Sequence, residues 1–272
     1  MTQEGIPELV EKMPPLDKGG TFTAPAWDEA IPVFDAILKG NGVSAVIDLL
    51  KPVDDGQDYK ARYVLHAMAQ YLGRPGKEVA RAKFSTDLAA ALSSDKPASV
   101  RGYLARQLQV IGGREAVPAL GKALADPELC EFAAQALLAI GDGAAAEFRK
   151  AYPAVTGPAR LTVLQAFGVL KDVEALDALR AAAKEPETRL LAVWGLANIG
   201  DADAIDLALK AADVEPVYER VKGTSACLLL AERLLAAGKK ADAVRIYKHL
   251  ESTRTEPSEA YVRELAAEAL AR

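Results

Sequence analysis

Histidine, cysteine and tryptophan each occur only twice in the 272-residue chain, and aromatic residues make up 6% of it. A metal site built from His66 and His249 has no spacing behind it, since histidine and cysteine ligands recur at short intervals, and neither histidine is followed by glutamate. Cys130 and Cys227 sit far apart inside helical patterns and read as two buried, reduced thiols. No run approaches the ~18 apolar residues of a membrane span, and Met-Thr-Gln-Glu-Gly lacks the basic and apolar parts of a signal peptide. A cytoplasmic location is the default expectation. Excess positive charge is also missing: the formal net charge is −5, which argues against nucleic acid and anionic membranes as partners. No Gly-x-Ser-x-Gly, phosphate loop or dinucleotide fingerprint occurs. The reading is therefore a non-enzyme, with no catalytic, cofactor-binding or metal-binding residue assigned.

What the chain does have is a beat. Ile111, Ile140, Leu170 and Ile199 each precede a glycine or polar break, at steps of 29, 30 and 29 residues. Pro97, Pro127, Pro158, Pro186 and Pro216 keep the same time, and Arg101, Cys130, Arg160 and Arg189 lie ten residues before each aliphatic mark. Three columns in step over four units indicate a solenoid. In the copy that begins at Asp126, the spacing predicts a helix capped by Asp126 with Pro127 in its first turn. Ala133, Ala136, Leu137 and Ile140 form its apolar stripe, and Gly141 stops it. Second helices are predicted over 116–125, 144–152, 173–184 and 204–212. Neither helix of a pair can bury its stripe alone, so each pair must stack on the next. Ala136, Ala166 and Gly195 leave room for close approach; Gln107 breaks that rule.

Asp-Pro, an arginine, alanines at helical spacing and Leu-x-x-Ile-Gly together resemble the HEAT repeat. The short period is similar to the bacterial variety also found in phycobilin lyase subunits. The clearest matches are Pro186 to Gly200 and Asp126 to Gly141, while Cys130 in the arginine column and Lys171 in place of glycine depart from the pattern. The resemblance implies an all-α fold, a right-handed α-solenoid (superhelix) of stacked antiparallel helix pairs. HEAT-like hydroxylases carry repeated His-Glu pairs, which this chain lacks, and HEAT-like DNA glycosylases carry basic grooves, against which its acidic balance argues.

Residues 1–23 are expected to form a partly ordered lead, with a short helix over 7–13. Residues 24–56 read as a capping helix pair, its stripe including Trp27, Phe34 and Ile37, with a break at Gly40-Asn41. Residues 57–216 form the HEAT-like array, and its first unit carries a longer second helix over 77–92. Residues 217–272 continue the solenoid as a longer helix pair and a capping helix. There, Leu234, Gly238, Ala243 and Tyr247 resemble a tetratricopeptide helix pair.

Two periodic polar columns have structural readings. Glu147, Asp177 and Asp206 precede Lys150, Arg180 and Lys210 by three or four residues, as intrahelical ion pairs do. Arg62, Arg101, Arg160 and Arg189 read as repeat-to-repeat hydrogen bonding. The functional surface implied by a HEAT architecture is the concave face. Its solvent positions here are Gln70, Arg106, Gln109, Gln135, Gln165, Trp194 and Asn198, a polar strip with one large aromatic. Trp194 is either an exposed binding anchor or packed between repeats. The expected function is a monomeric protein- or peptide-binding scaffold or adaptor, without cofactor. The alternative is a lyase-type or chaperone-like subunit holding a small ligand in the groove.

Overall fold

The computed structural model describes residues 5–15, 24–39, 42–52, 57–215 and 217–271. The remainder of the lead, the Gly40-Asn41 break and Pro216 lie outside the described residues. The chain divides into two compact units, Met1–Val155 and Thr156–Arg272. The first holds α1 (Ile6–Glu11), α2 (Ala24–Lys39), α3 (Val43–Asp48), α4 (Tyr59–Leu72), α5 (Glu78–Leu92), α6 (Ala98–Ile111), α7 (Val117–Ala123), α8 (Cys130–Ile140) and α9 (Ala144–Ala151). The second holds α10 (Gly157–Leu170), α11 (Leu176–Ala182), α12 (Arg189–Ile199), α13 (Ile205–Ala212), α14 (Val217–Ala236), α15 (Lys240–Thr253) and α16 (Ala260–Ala271). The protein is all-α, built from helix pairs of the HEAT-like kind.

Stacking follows the repeat. In the first unit α4 packs on α6 and α6 on α8, while the second helices run α5 on α7 and α7 on α9. In the second unit α10 packs on α12 and α12 on α14. The stripes point inward as their period requires: Leu104, Leu108, Ala133, Ala136, Leu137, Val163, Phe167, Ala192 and Leu196 are all buried. The aliphatic marks reach back to the preceding repeat's stop. A Cβ on Gly112 would lie 3.0 Å from Ile140 Cδ1, and one on Gly73 3.5 Å from Ile111 Cδ1. Close approach is most evident where α10 crosses α12, since a Cβ on Gly168 would lie 2.8 Å from Gly195 Cα. Gln107, the exception among the small residues, is buried and held by His66 Nδ1 at 3.0 Å from its Oε1.

Helix starts differ from the sequence pattern. Asp126-Pro127 do not open α8, which begins at Cys130. Asp126 Oδ1 instead accepts from the Glu128 N–H at 3.0 Å, and the Asp126 carbonyl accepts from Leu129 and Cys130. The Pro127 segment is thus a turn that leads into the helix. Glu185 likewise accepts from Thr188 and Arg189 ahead of α12. By contrast, Pro158 does sit in the first turn of α10. Three second helices are entered through a single 3-10 turn: Arg114–Ala116, Val173–Ala175 and Ala202–Ala204. In each, an N–H bonds back three residues, to Gly113, Asp172 or Asp201. Lys171, where glycine is usual, still adopts the left-handed cap at φ 51°, beside Gly200 at 86°. The Asp172 N–H then reaches the Phe167 carbonyl, as the Asp201 N–H reaches Leu196.

Two arginines of the column, Arg101 and Arg160, bridge repeats, each to a specific target. Arg101 meets Asp126 at 3.2 Å, and Arg160 holds Glu185 through both guanidinium arms, at 2.7 and 3.0 Å. Each acid is the residue immediately before the next repeat's proline. Arg62 turns the other way, to Asp58 Oδ2 at 2.9 Å and the Lys51 carbonyl at 2.6 Å. The acidic column pairs within helices at Glu147–Lys150 (3.8 Å) and Asp177–Arg180 (3.5 Å). Asp206 departs from that pattern and binds Arg245, because α15 packs against α13.

Candidate functional site

Two places collect functional side chains. The first is the outer row of the leading helices. In the first unit Gln70 on α4, Arg106 and Gln109 on α6 and Gln135 on α8 are all exposed. Gln70 Nε2 lies 3.1 Å from His66 Nε2, Arg106 rests 5.2 Å over the Phe132 ring, and Gln135 donates to Glu131 at 2.9 Å. In the second unit Gln165 on α10 is exposed, while Trp194 and Asn198 on α12 are half-buried. Trp194 lies against the preceding helix: a Cβ on Gly168 would come within 2.6 Å of its ring. Of the two readings of this residue, the geometry is that of packing between repeats. Asn198 is engaged in the fold, donating to the Gly168 carbonyl at 2.9 Å and accepting from Arg233 at 3.1 Å.

The second place lies just after α15 and has no sequence pattern that marks it. Arg254 is completely buried there. Its guanidinium donates to the Ala212 carbonyl at 2.7 Å and to Asp213, with Glu259 at 3.7 Å. Arg220 clamps Glu259 with its second arm at 3.0 Å and reaches the Thr253 carbonyl at 3.2 Å. His249 Nε2 lies 2.8 Å from Asp213 Oδ2. The network ties together α13, α14, α15 and α16. The Arg220 guanidinium holds the Glu259 carboxyl below its ordinary value, and the Glu259 hydrogen bond raises Arg220 in turn. Burying an arginine is costly unless its charge is met by acceptors, and here most of its donors are committed to structure. No local pattern marks Arg254; only the packing of four helices removes it from water.

Both cysteine thiols are suppressed as nucleophiles. Burial pushes the Cys130 thiol up to about 11 and the Cys227 thiol up to about 12, so neither is a thiolate near neutral pH. Among the described residues no group of three or more histidine, cysteine, aspartate or glutamate side chains could hold a metal ion. None of the described helices is long and apolar enough to cross a membrane.

Residues 100–126 match the family described as the PBS lyase HEAT-like repeat. They span most of α6, all of α7 and the turn at Asp126. The matched stretch lies within the part of the chain where the repeat columns keep step. No curated protein matches the chain. Among solved structures it is similar to the complex of CpcE and CpcF of phycocyanin lyase from Nostoc sp., at 19% identity and a TM-score of 0.43. That match covers 82% of this chain and 93% of the other.

Proposed function

We propose that the chain is a non-catalytic binding module, a scaffold or adaptor that holds a protein or peptide on the outer row of its leading helices. The supporting observation is Arg106 and Gln135, exposed at equivalent positions of successive repeats on two helices that pack together. A guanidinium and an amide presented on rigid helices suit the carboxylates and backbone groups of a peptide, and arginine is a frequent anchor of such surfaces. A second reading is a lyase-type or chaperone-like subunit that holds a small ligand. The description of the matching repeat supports this second reading more than it supports a plain scaffold.

The test is affinity capture from a lysate of the source organism, comparing the wild-type chain with Arg106→Glu/Gln135→Glu. A protein retained by wild type and lost by the variant is the expected result. A small molecule carried through purification, indifferent to the variant and without a protein partner, would favour the second reading. Identical protein sets on both baits would remove this row as the site. Trp194→Ala is a poor probe, because it empties the space over Gly168.

A further inference from the structure

Two separate cavities open beside the last three helices. α15 packs against both α14 and α16, and the space flanked by those two outer helices opens to solvent at each end. At the N-terminal end of α14 and α16 lies a cavity of about 570 Å³, lined by Val217, Val221, Tyr261 and Val262 among others. At their C-terminal end lies a second of about 430 Å³, lined by Leu235, Tyr247 and Leu265. Val217 (77%), Tyr261 (59%) and Leu265 (42%) are large apolar side chains left to water. On α14 the lining residues 217, 221, 224, 232 and 235 fall at helical spacing, so both cavities lie along one stripe.

The chemistry of the rim selects the occupant. Glu215 and Glu256 line the first cavity, Glu232 and Glu268 the second, and none of the four forms an ion pair among the described residues. Arg220 is committed to Glu259, which leaves Lys240 as the one free base in the lining among the described residues. An apolar floor between acidic rims complements a basic amphipathic segment. That segment should be helical. The groove walls are helices whose backbone groups are bonded internally, so an extended peptide would find no partners for its own N–H and C=O groups. A helix satisfies them itself and packs by ridges into grooves. Val217 to Leu235 spans about 27 Å at 1.5 Å per residue, room for about 18 residues or five turns.

We propose that the groove between α14 and α16 docks a basic amphipathic helix of a partner protein. This site is separate from the outer row of leading helices. The test uses the full chain and two fluorescein-labelled peptides of about 18 residues, one patterned from leucine and lysine, the other from leucine and glutamate. Fluorescence anisotropy should show saturable binding of the lysine peptide and none of the glutamate peptide. The affinity should fall about tenfold or more on Glu232→Lys/Glu268→Lys and on Val217→Lys, each changing an exposed side chain. It should weaken as salt rises. Arg106→Glu should bind the peptide like wild type, which separates this site from the outer row. Circular dichroism melts of each variant report that the fold is kept. Equal binding of both peptides, isotherms unchanged by the groove variants, or no saturable binding would overturn the proposal. So would sedimentation showing a dimer of this chain that Val217→Lys dissociates, since a second copy would then be the occupant.

Discussion

Gly223→Ala sets a local preference against a tertiary contact, and the structure decides the sign. Gly223 is buried in the interior of α14, where alanine is favoured over glycine by about 1 kcal/mol. A Cβ there would lie 2.4 Å from the Ala211 carbonyl oxygen, 2.5 Å from its carbon and 2.7 Å from Ala212 Cα. All three are backbone atoms of α13, so no side chain can swing aside. Carbon contacts settle near 3.5–4.0 Å, so the helices would have to part by roughly an ångström. Overpacking of this kind costs typically about 1–3 kcal/mol, occasionally more. The separation also strains Arg254, which donates both to Thr224 on α14 and to the Ala212 carbonyl and Asp213 at the end of α13. The clash should win because only backbone atoms are in the way, lowering stability by up to about 2 kcal/mol after the helix-propensity gain. Gly121→Ala is the control. The three atoms nearest its Cβ would all belong to the flexible Glu147 side chain, which can shift where backbone cannot, so the propensity gain should survive. Urea unfolding followed by far-UV circular dichroism reads both, as shifts in midpoint at constant slope. A Gly223→Ala midpoint at or above wild type would refute the reasoning.

Two further outcomes follow from the geometry. Lys171→Gly should raise the urea midpoint, because a left-handed φ of 51° costs a side-chain-bearing residue about 1–2 kcal/mol that glycine avoids; a lowered midpoint would show that the lysine side chain makes a compensating contact. Glu259 is held below its free value of 4.5 by the Arg220 hydrogen bond, so its contribution is fully present above that pH and is lost as pH falls through the lower folded value. Arg220→Met should therefore flatten the acid limb of the midpoint-against-pH curve, and an unchanged limb would assign the acid sensitivity elsewhere.

Much of the fold is legible in the chain because its causes are local. An apolar residue every three or four positions can be read as a helix wherever it occurs. The stop at Gly200 needs only a left-handed cap, and Lys171 shows that the repeat can impose the same cap on another residue. The outer row was legible as exposed at Gln70, Arg106, Gln109, Gln135 and Gln165 because these positions lie off the stripe. The helix start at Cys130 was missed because Asp126-Pro127 can cap a helix or build a turn, and the choice falls to the carbonyl that accepts from Leu129 and Cys130.

The sequence by itself determined the all-α class, the period and the inward faces, since these depend on residues within one helical turn of each other. Only the tertiary structure decided the partners. The arginine column could be known to bond across repeats, but Asp126 and Glu185 became its targets only when stacking brought them within about 3 Å. Arg254 is an ordinary polar residue in a polar stretch until four helices close over it. The α14–α16 groove exists only because two separate stripes face one another across α15. Contacts between residues distant in the chain are set by how helices pack, and no short window of sequence encodes that packing.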